Sequence, residues 1–183
     1  LNTNLSRYYV TDYGSSNTIQ INLKVTIYPV LNNLPKITVY NTAGNTGYAY
    51  DASQFNAFQQ SYWTEKYSPA NVVLNWYSYT TLTANGISIP NSGENFSVKV
   101  DGIFAPRLSG TYTFTCAGDD AVDLFINDTN VCNHYGPHGT EADGLHTGTI
   151  NLIAGNAYTF RARQQEYGGG DGLVIKWKKP GSN

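Results

Sequence analysis

Short segments in which apolar and polar residues alternate are the feature that most constrains the fold of this chain. In IQINLKVTIY, residues 19–28, every second residue is apolar, and NFSVKVDGIF, residues 95–104, has the same period. Because successive side chains of a strand point to opposite faces, this period predicts strands with one buried face. Seven further segments have the composition of strands: PKITVY, NVVLNWY, GTYTFTC, AVDLFIN, HTGTINL, AYTFRAR and GLVIKWK.

Turn residues separate these segments at short intervals, as at Asn85-Gly86 and Ser109-Gly110. Many short strands with regular turns predict an all-β fold, either a β-sandwich or a barrel. The chain length fits a single domain over residues 1–183, with the start of a linker at 180–183.

One short helix is predicted within DASQFNAFQQSYW. Phe55, Phe58 and Tyr62 recur there at helical spacing, and Asp51 or Ser53 is able to cap the first turn. We expect these aromatic side chains to belong to the core, in a fold with at most one or two short helices.

The composition excludes several classes of function. Charged residues form 13% of the chain and the formal net charge is −2, so a nucleic-acid-binding surface is not expected. No apolar run approaches the roughly 20 residues that cross a bilayer, so membrane insertion is not expected either. Abundant Tyr and Gly and the absence of Met indicate a mature piece or excised domain of a longer extracellular protein. In such a protein Cys116 and Cys132 most simply form a disulfide, which would contribute about 3 kcal/mol; the alternative is two unpaired small apolar residues.

Two adjacent carboxylates, Asp119 and Asp120, stand at the entrance of the strand AVDLFIN. Neighbouring side chains of a regular strand diverge, so both reach one ion only if the backbone between them is irregular, through a bulge or a cis peptide. Carboxylate oxygens favour a hard cation such as Ca²⁺, whereas zinc would need Cys or His at ligand spacing. The alternative is a pair of exposed acids in a turn.

A second supply of oxygen ligands is RQQEYGGGDGLVIKW, residues 163–177. Here Gln164 and Gln165 leave a strand, and Tyr167–Gly172 form a glycine-rich loop whose backbone is able to approach a ligand closely. The loop lacks the Lys of a phosphate loop and the repeated Asx residues of an EF-hand. The alternative is a flexible hairpin.

An ordered set of residues runs through the second half of the chain: Gly102, Pro106, Gly110, Tyr112, Phe114, Asp119, Asp120, Leu124, Ile126, Leu152, Gly155, Tyr158, Leu173 and Trp177. In this set the chain resembles the protective-antigen (PA14) domain family, which implies a β-sandwich with a jelly-roll-like topology. The lectin branch of that family comprises bacterial repeat-type (RTX) adhesins and fungal flocculins. There a cis peptide joins the paired Asp residues, calcium binds to them, and two neighbouring sugar hydroxyls complete the shell of the ion.

The resemblance implies a calcium site and a sugar site in these two segments. The implied calcium ligands are Asp119, Asp120, Gln165, Tyr167 and Gly169. The side chains expected to contact the sugar are Asp119, Asp120, His134, Tyr135, Gln164, Tyr167 and Asp171. We therefore expect a calcium-dependent lectin module of an extracellular or cell-surface adhesin, which binds glycans carrying a vicinal diol and is not an enzyme.

Two other functions are compatible with the sequence: a protein-interaction or structural domain of the same fold, and an accessory sugar-binding domain of a glycoside hydrolase. Asp123 and Asp128 do not stand in an environment that suggests the raised pKa of a glycosidase acid. His134 and His138 are four residues apart, but a Gly-Pro pair between them breaks the helix that a metalloprotease zinc pair needs.

Overall fold

The computed structural model describes the following residues: 35–45, 47–68, 73–141 and 144–182. They belong to one compact unit, Asn32–Asn183. The strand predicted in IQINLKVTIY lies outside the described residues, and the single domain over residues 1–183 with its linker stays a prediction. Among the described residues, no helix is long and apolar enough to cross a membrane.

The described residues contain ten strands and two short α-helices, numbered in chain order. The strands are β1 (Lys36–Asn41), β2 (Tyr62–Tyr67), β3 (Asn75–Trp76), β4 (Phe96–Phe104), β5 (Gly110–Asp119), β6 (Ala121–Ile126), β7 (Thr129–His134), β8 (Thr147–Leu152), β9 (Tyr158–Glu166) and β10 (Gly172–Lys178). The helices are α1 (Ala52–Phe58) and α2 (Tyr79–Ala84). Two antiparallel sheets form the predicted β-sandwich, with strand orders β2-β1-β4-β9-β6-β7 and β3-β10-β5-β8.

The core lies between the two sheets and follows the alternation in the sequence. On β4, Phe96, Val98 and Val100 are fully buried, while the four-stranded sheet contributes Trp76 and Phe114. The rings of Trp76 and Phe96 stack across the interface with centroids 6.4 Å apart. The period of two is therefore confirmed for the strands that cover this core.

Helix α1 packs against β6 and β9, where its apolar side chains cluster with Ala121 and Asn56 accepts a hydrogen bond from Arg163. A carboxylate oxygen of Asp51 accepts a hydrogen bond from the backbone N–H of Gln54 and caps the helix, as predicted. Phe55 and Phe58 are buried, but Tyr62 lies on β2 and is 60% exposed, so its predicted place on the helix is wrong. Strand β2 was not predicted because most of its residues are exposed on both faces and it shows no alternation.

The disulfide between Cys116 and Cys132 is present and joins β5 of one sheet to β7 of the other, which confirms the predicted pairing. Several connections also pass between the sheets, and two of them lie next to each other. Asp119-Asp120 leads from β5 to β6, and residues 167–171 lead from β9 to β10. Because β5 pairs with β10 and β6 pairs with β9, the two connections lie side by side at one end of the sandwich.

Candidate functional site

The paired aspartates are held by the backbone around them. The peptide bond between Asp119 and Asp120 is cis, as the resemblance implied. The N–H of Asp120 donates a hydrogen bond to the carbonyl of Gln165 at 2.9 Å. A carboxylate oxygen of Asp120 accepts one from the N–H of Tyr167 at 3.0 Å. These bonds place the pair against the end of β9 and the start of the glycine-rich loop.

The glycine-rich loop passes unusually close to the first aspartate. A Cβ atom at Gly170 would lie 2.7 Å from Oδ2 of Asp119, so only glycine fits there without a shift. The neighbouring Gly169 has a positive φ of 113°, and its N–H donates to the Glu94 carboxylate at 3.1 Å. The structure therefore gives Gly170 the predicted role of permitting close backbone approach, whereas Gly169 supplies a backbone conformation that other residues rarely adopt.

A third carboxylate completes this end of the sandwich. Glu166, the last residue of β9, is fully buried, and neither of its carboxylate oxygens has a hydrogen-bond partner among the described residues. One oxygen each from Asp119, Asp120 and Glu166 lie within 4.8 Å of one another. A buried carboxylate without a partner is rare, because the loss of hydration has nothing to offset it.

The electrostatics of this cluster are those of acids without a matching cation. Burial, followed by the charges of Asp120 and Asp119, raises the pKa of Glu166 to about 9. Burial raises the pKa of Asp120 to about 6, and the backbone N–H of Tyr167 opposes that shift only in part. Burial also raises the pKa of Asp171, which lies nearby, to about 6. At neutral pH Glu166 therefore keeps its proton unless a positive charge from outside the protein favours the ionised form.

The three oxygens fit a calcium ion. Calcium binds oxygens at about 2.3–2.6 Å, so two oxygens on one ion lie no more than about 5 Å apart. The carboxylate oxygens of Asp119, Asp120 and Glu166 satisfy this limit. The donor set contains only oxygen, which suits calcium better than zinc.

Comparison with known proteins settles the family. The model of the PA14 domain family matches residues 44–183, which is most of the chain. The chain belongs to the PA14 domain family. A comparison with curated protein sequences gives no match.

Solved structures of low sequence identity share the PA14 fold. The PA14 sugar-binding domain from an RTX adhesin is 17% identical, with a TM-score of 0.62 over 81% of this chain and 91% of that one. The Epithelial Adhesin 6 A domain from Candida glabrata, in complex with Galβ1-3GlcNAc, is 18% identical, with a TM-score of 0.60 over 82% and 81%. An anti-sigma factor domain-containing protein is 18% identical with a TM-score of 0.59, and this chain covers 44% of it. The PA14 domain thus spans less than half of that protein.

The predicted calcium ligands outside the aspartate pair do not all lie in the loop: one is within β9 and two are in the loop next to the carboxylates. The side-chain oxygen of Gln165 accepts a hydrogen bond from the N–H of Ala49 at 3.0 Å, and its backbone oxygen accepts one from Asp120. Gln165 and its neighbour Gln164 lie within β9 and not, as predicted, beyond its end. Tyr167 and Gly169 lie in the loop next to the aspartates.

Three of the predicted sugar contacts are engaged elsewhere. Gln164 is fully buried beneath the pair, where its amide donates to the backbone oxygen of Asp119. Both carboxylate oxygens of Asp171 accept from the N–H of Tyr79 at the start of α2, at 2.7 and 3.0 Å. The hydroxyl of Tyr135 donates to Asp123 at 3.0 Å. The protein uses these polar groups to hold its own backbone and side chains.

His134, which is also a predicted sugar contact, is stacked against His138, with ring centroids 3.4 Å apart. His138 is the histidine that reaches the paired aspartates, because its ring nitrogen Nδ1 lies 3.1 Å from the carbonyl oxygen of Gly118. Its positive form also lowers the pKa of Asp119 against the larger effect of burial.

A cluster of tyrosines borders the acidic site, which is the group of carboxylates formed by Asp119, Asp120 and Glu166. The ring of Tyr48 meets that of Tyr167 edge to face at 5.1 Å, and Tyr50 follows at 6.5 Å. Burial and the charge of Asp120 raise the pKa of Tyr48, which places this phenol beside the aspartates. Tyr50 is 60% exposed and Tyr167 is 37% exposed, so ring surface is open to solvent.

Sequence reasoning missed Glu166, Glu94 and Tyr48. Glu166 had a readable signal, since it is the acid between a strand and the glycine-rich loop. Glu94 and Tyr48 had none, because they are remote in sequence from both motifs and only the fold brings them to the site.

Proposed function

We propose that this PA14 domain is a calcium-dependent carbohydrate-binding module of an extracellular adhesin. The observation that carries the proposal is Glu166, a fully buried carboxylate without a partner among the described residues, facing Asp119 and Asp120. A divalent cation offsets the repulsion within this group and supplies the missing partner.

Asp119, Asp120 and Glu166 supply three carboxylate oxygens to the calcium ion in this proposal. The backbone carbonyls of Tyr167 and Gly169 are the further protein ligands. Both oxygens of Gln165 already accept hydrogen bonds, so we give its predicted place to Glu166. Calcium takes six to eight oxygens, so positions remain for two neighbouring hydroxyls of a sugar.

The tyrosine cluster supplies the apolar part of the proposed sugar site. Sugars present C–H groups on their ring faces, and the exposed surfaces of Tyr50 and Tyr167 suit contact with them. The Candida adhesin domain was solved with Galβ1-3GlcNAc, and a related engineered domain with β-lactose. Galactosides are therefore the first sugars to test here.

The export that an adhesin needs agrees with the Cys116–Cys132 disulfide, because such bonds persist in oxidising compartments.

Calorimetry and a glycan array test the proposal together. We expect one calcium ion per chain, and glycan binding that disappears in metal-free buffer. Asp120→Asn should lose both, because it removes a ligand charge while keeping the side-chain volume. Asp101→Asn, on the surface of β4, is the matched control and should bind calcium and glycan normally. Glycan binding that is unchanged without calcium would refute the proposal.

A second candidate has support from one neighbour. The GH31 α-xylosidase from Xanthomonas citri contains a region with this fold, with a TM-score of 0.51 and 15% identity over 15% of its length. In that context the domain would bind sugar next to a catalytic domain and perform no catalysis itself. Burial raises the pKa of Asp123, contrary to the expectation from the sequence, but this carboxylate is fully buried and pairs with Arg163, so it is not placed to protonate a glycoside. Glycan binding with no hydrolysis of aryl glycosides by the isolated domain is the expected result.

A further inference from the structure

The three histidines of the chain form a single stack beside the acidic site. The ring of His134, at the end of β7, lies between those of His138 and His146, with centroids 3.4 and 3.8 Å away. Glu141 closes one side of the stack. Its Oε2 lies 2.7 Å from Nε2 of His146 and 3.6 Å from Nδ1 of His134.

His134 and His146 each direct a ring nitrogen at Oε2 of Glu141, and only the nitrogen of His146 is within hydrogen-bond distance of it. Nδ1 of His134 is buried and has no hydrogen-bond partner among the described residues. Burial and the neighbouring histidines lower the pKa of His134, whereas the hydrogen bond from His146 lowers the pKa of Glu141. A neutral imidazole and an ionised carboxylate are the forms that bind metals.

We propose that His134, Glu141 and His146 form a second metal site, specific for a divalent transition-metal ion such as zinc. Two imidazoles and one carboxylate are a donor set that zinc uses in proteins, with one position left open. The acidic site offers only oxygen, so the two sites differ in the class of metal they select.

The distances are close to those that coordination needs. Ligand atoms at about 2.0–2.2 Å from a tetrahedral zinc ion lie roughly 3.4 Å apart. The 3.6 Å between His134 and Glu141 matches this value, and the ion would replace the proton shared at 2.7 Å by His146 and Glu141. The rings must turn out of their stack for both lone pairs to converge. The side chains of His134 and His146 are 24% and 28% exposed, which leaves room for that rotation.

His138 is not a ligand in this proposal. Its Nδ1 faces the carbonyl oxygens of Gly118 and Gly139, and its Nε2 faces that of His134, at 3.1 to 3.2 Å. Both nitrogens therefore already have partners in the backbone.

The second ion would hold the segment that lies against the acidic site. The backbone of Thr140 lies close enough to the Asp119 carboxylate to lower its pKa against the larger effect of burial, and Glu141 is the next residue. Binding Glu141 to the two histidines would tie this segment to β7 and to the start of β8. The transition metal would thus act as a clamp beside the calcium ligands.

Titration with zinc alone and with cobalt alone tests the proposal, with calcium present in excess to occupy the acidic site. We expect one zinc ion per chain, and visible absorption from bound cobalt that reports nitrogen ligands. His146→Ala and Glu141→Gln should each weaken zinc binding by at least about tenfold. His138→Ala is the matched histidine control and should retain zinc.

Circular dichroism establishes that the variants are folded, and Glu141→Gln keeps the test valid if His146→Ala unfolds. Asp120→Asn, which removes a ligand of the acidic site, should leave zinc binding unchanged, so this proposal and the calcium proposal fail separately. Zinc binding that is absent, or equally strong in Glu141→Gln, would overturn the second site.

Discussion

Two groups of buried carboxylates, on or next to strands β6 and β9, differ in whether a cationic side chain pairs with them. Asp123 on β6 lies directly opposite Arg163 on β9, and the guanidinium donates to both carboxylate oxygens, at 2.8 and 2.6 Å. Three residues away along the chain, Asp120 just before β6 and Glu166 at the end of β9 are also buried, but no Arg or Lys of the described residues pairs with them. The fold is able to place a cation opposite a buried acid, as it does at Asp123, but it places no Arg or Lys of the described residues against Asp120 and Glu166.

Breaking the paired group should have the largest effect on stability. In Arg163→Met the carboxylate of Asp123 stays buried without its cation, and we expect a loss of about 3–5 kcal/mol in the free energy of unfolding, measured by urea denaturation in calcium. The matched control is Arg161→Met, whose partially exposed pair with Asp101 should contribute about 1 kcal/mol or less. A loss below 1 kcal/mol for Arg163→Met would show that Asp123 does not need its partner.

Neutralising Glu166, a buried acid without a cationic partner, should stabilise the metal-free domain, in contrast to Arg163→Met. At pH 8 Glu166 must take up a proton when the metal-free domain folds, because its folded-state pKa is about 9, whereas Gln is neutral in both states. The metal-free Glu166→Gln variant should therefore unfold at a higher temperature than the wild type at pH 8. Its calcium affinity, measured by calorimetry, should fall by at least the 10- to 100-fold that loss of an outer-shell partner costs. Glu94→Gln is the control, because that acid already bonds to Gly169, and its effect should be smaller. Equal calcium affinity in wild type and Glu166→Gln would remove Glu166 from the site.

The smallest of the expected effects is a difference between the metal-free and calcium-bound forms in how their folding stability depends on pH. The folded-state pKa values of Asp120 and Glu166, about 6 and about 9, lie above the values of unfolded chains. Their contribution is therefore fully present below about pH 4 and is lost as the pH rises through 6 and then 9.

Melting temperatures at pH 5, 7 and 9 measure this effect. The metal-free domain should lose stability across the series, and calcium should reduce the loss. Glu166→Gln should lack most of the decline between pH 7 and pH 9, because in that range the Asp120 contribution is already lost and Glu166 still takes up a proton on folding. A metal-free domain whose stability rises from pH 5 to pH 9 would contradict the assignment of these buried acids.

Much of the fold was readable because its cause is local. Alternation at a period of two predicted β4, and a strand-like composition predicted β5, β6 and β9. Helix α2 and strand β7, like β2, were not predicted from the sequence. The sequence YTTLTA of α2 is rich in residues that favour strands and buries only Leu82, and α2 begins where Asp171 receives the N–H of Tyr79 from a remote part of the chain.

The site was readable only where its residues are adjacent in sequence. The pair Asp119-Asp120 and the glycine-rich loop were identified, and the fold brings them together. The roles of Tyr135 and Gln164 could not be read, because their partners come from other strands: Asp123 for the tyrosine hydroxyl and the Asp119 carbonyl for the glutamine amide. A polar side chain near a motif has no defined role until its hydrogen-bond partners are known.

By itself the sequence determined the alternating strands, the cysteine pair and the presence of two adjacent acids before a strand, since each depends on neighbours along the chain. The tertiary structure decided which acids remain without a partner. Arg163 lies opposite Asp123 because β6 and β9 pair in one register, and that register brings Glu166 to Asp120, where no Arg or Lys of the described residues pairs with them. Burial and pairing are properties of atoms brought together across strands, and they determine where a metal ion is needed.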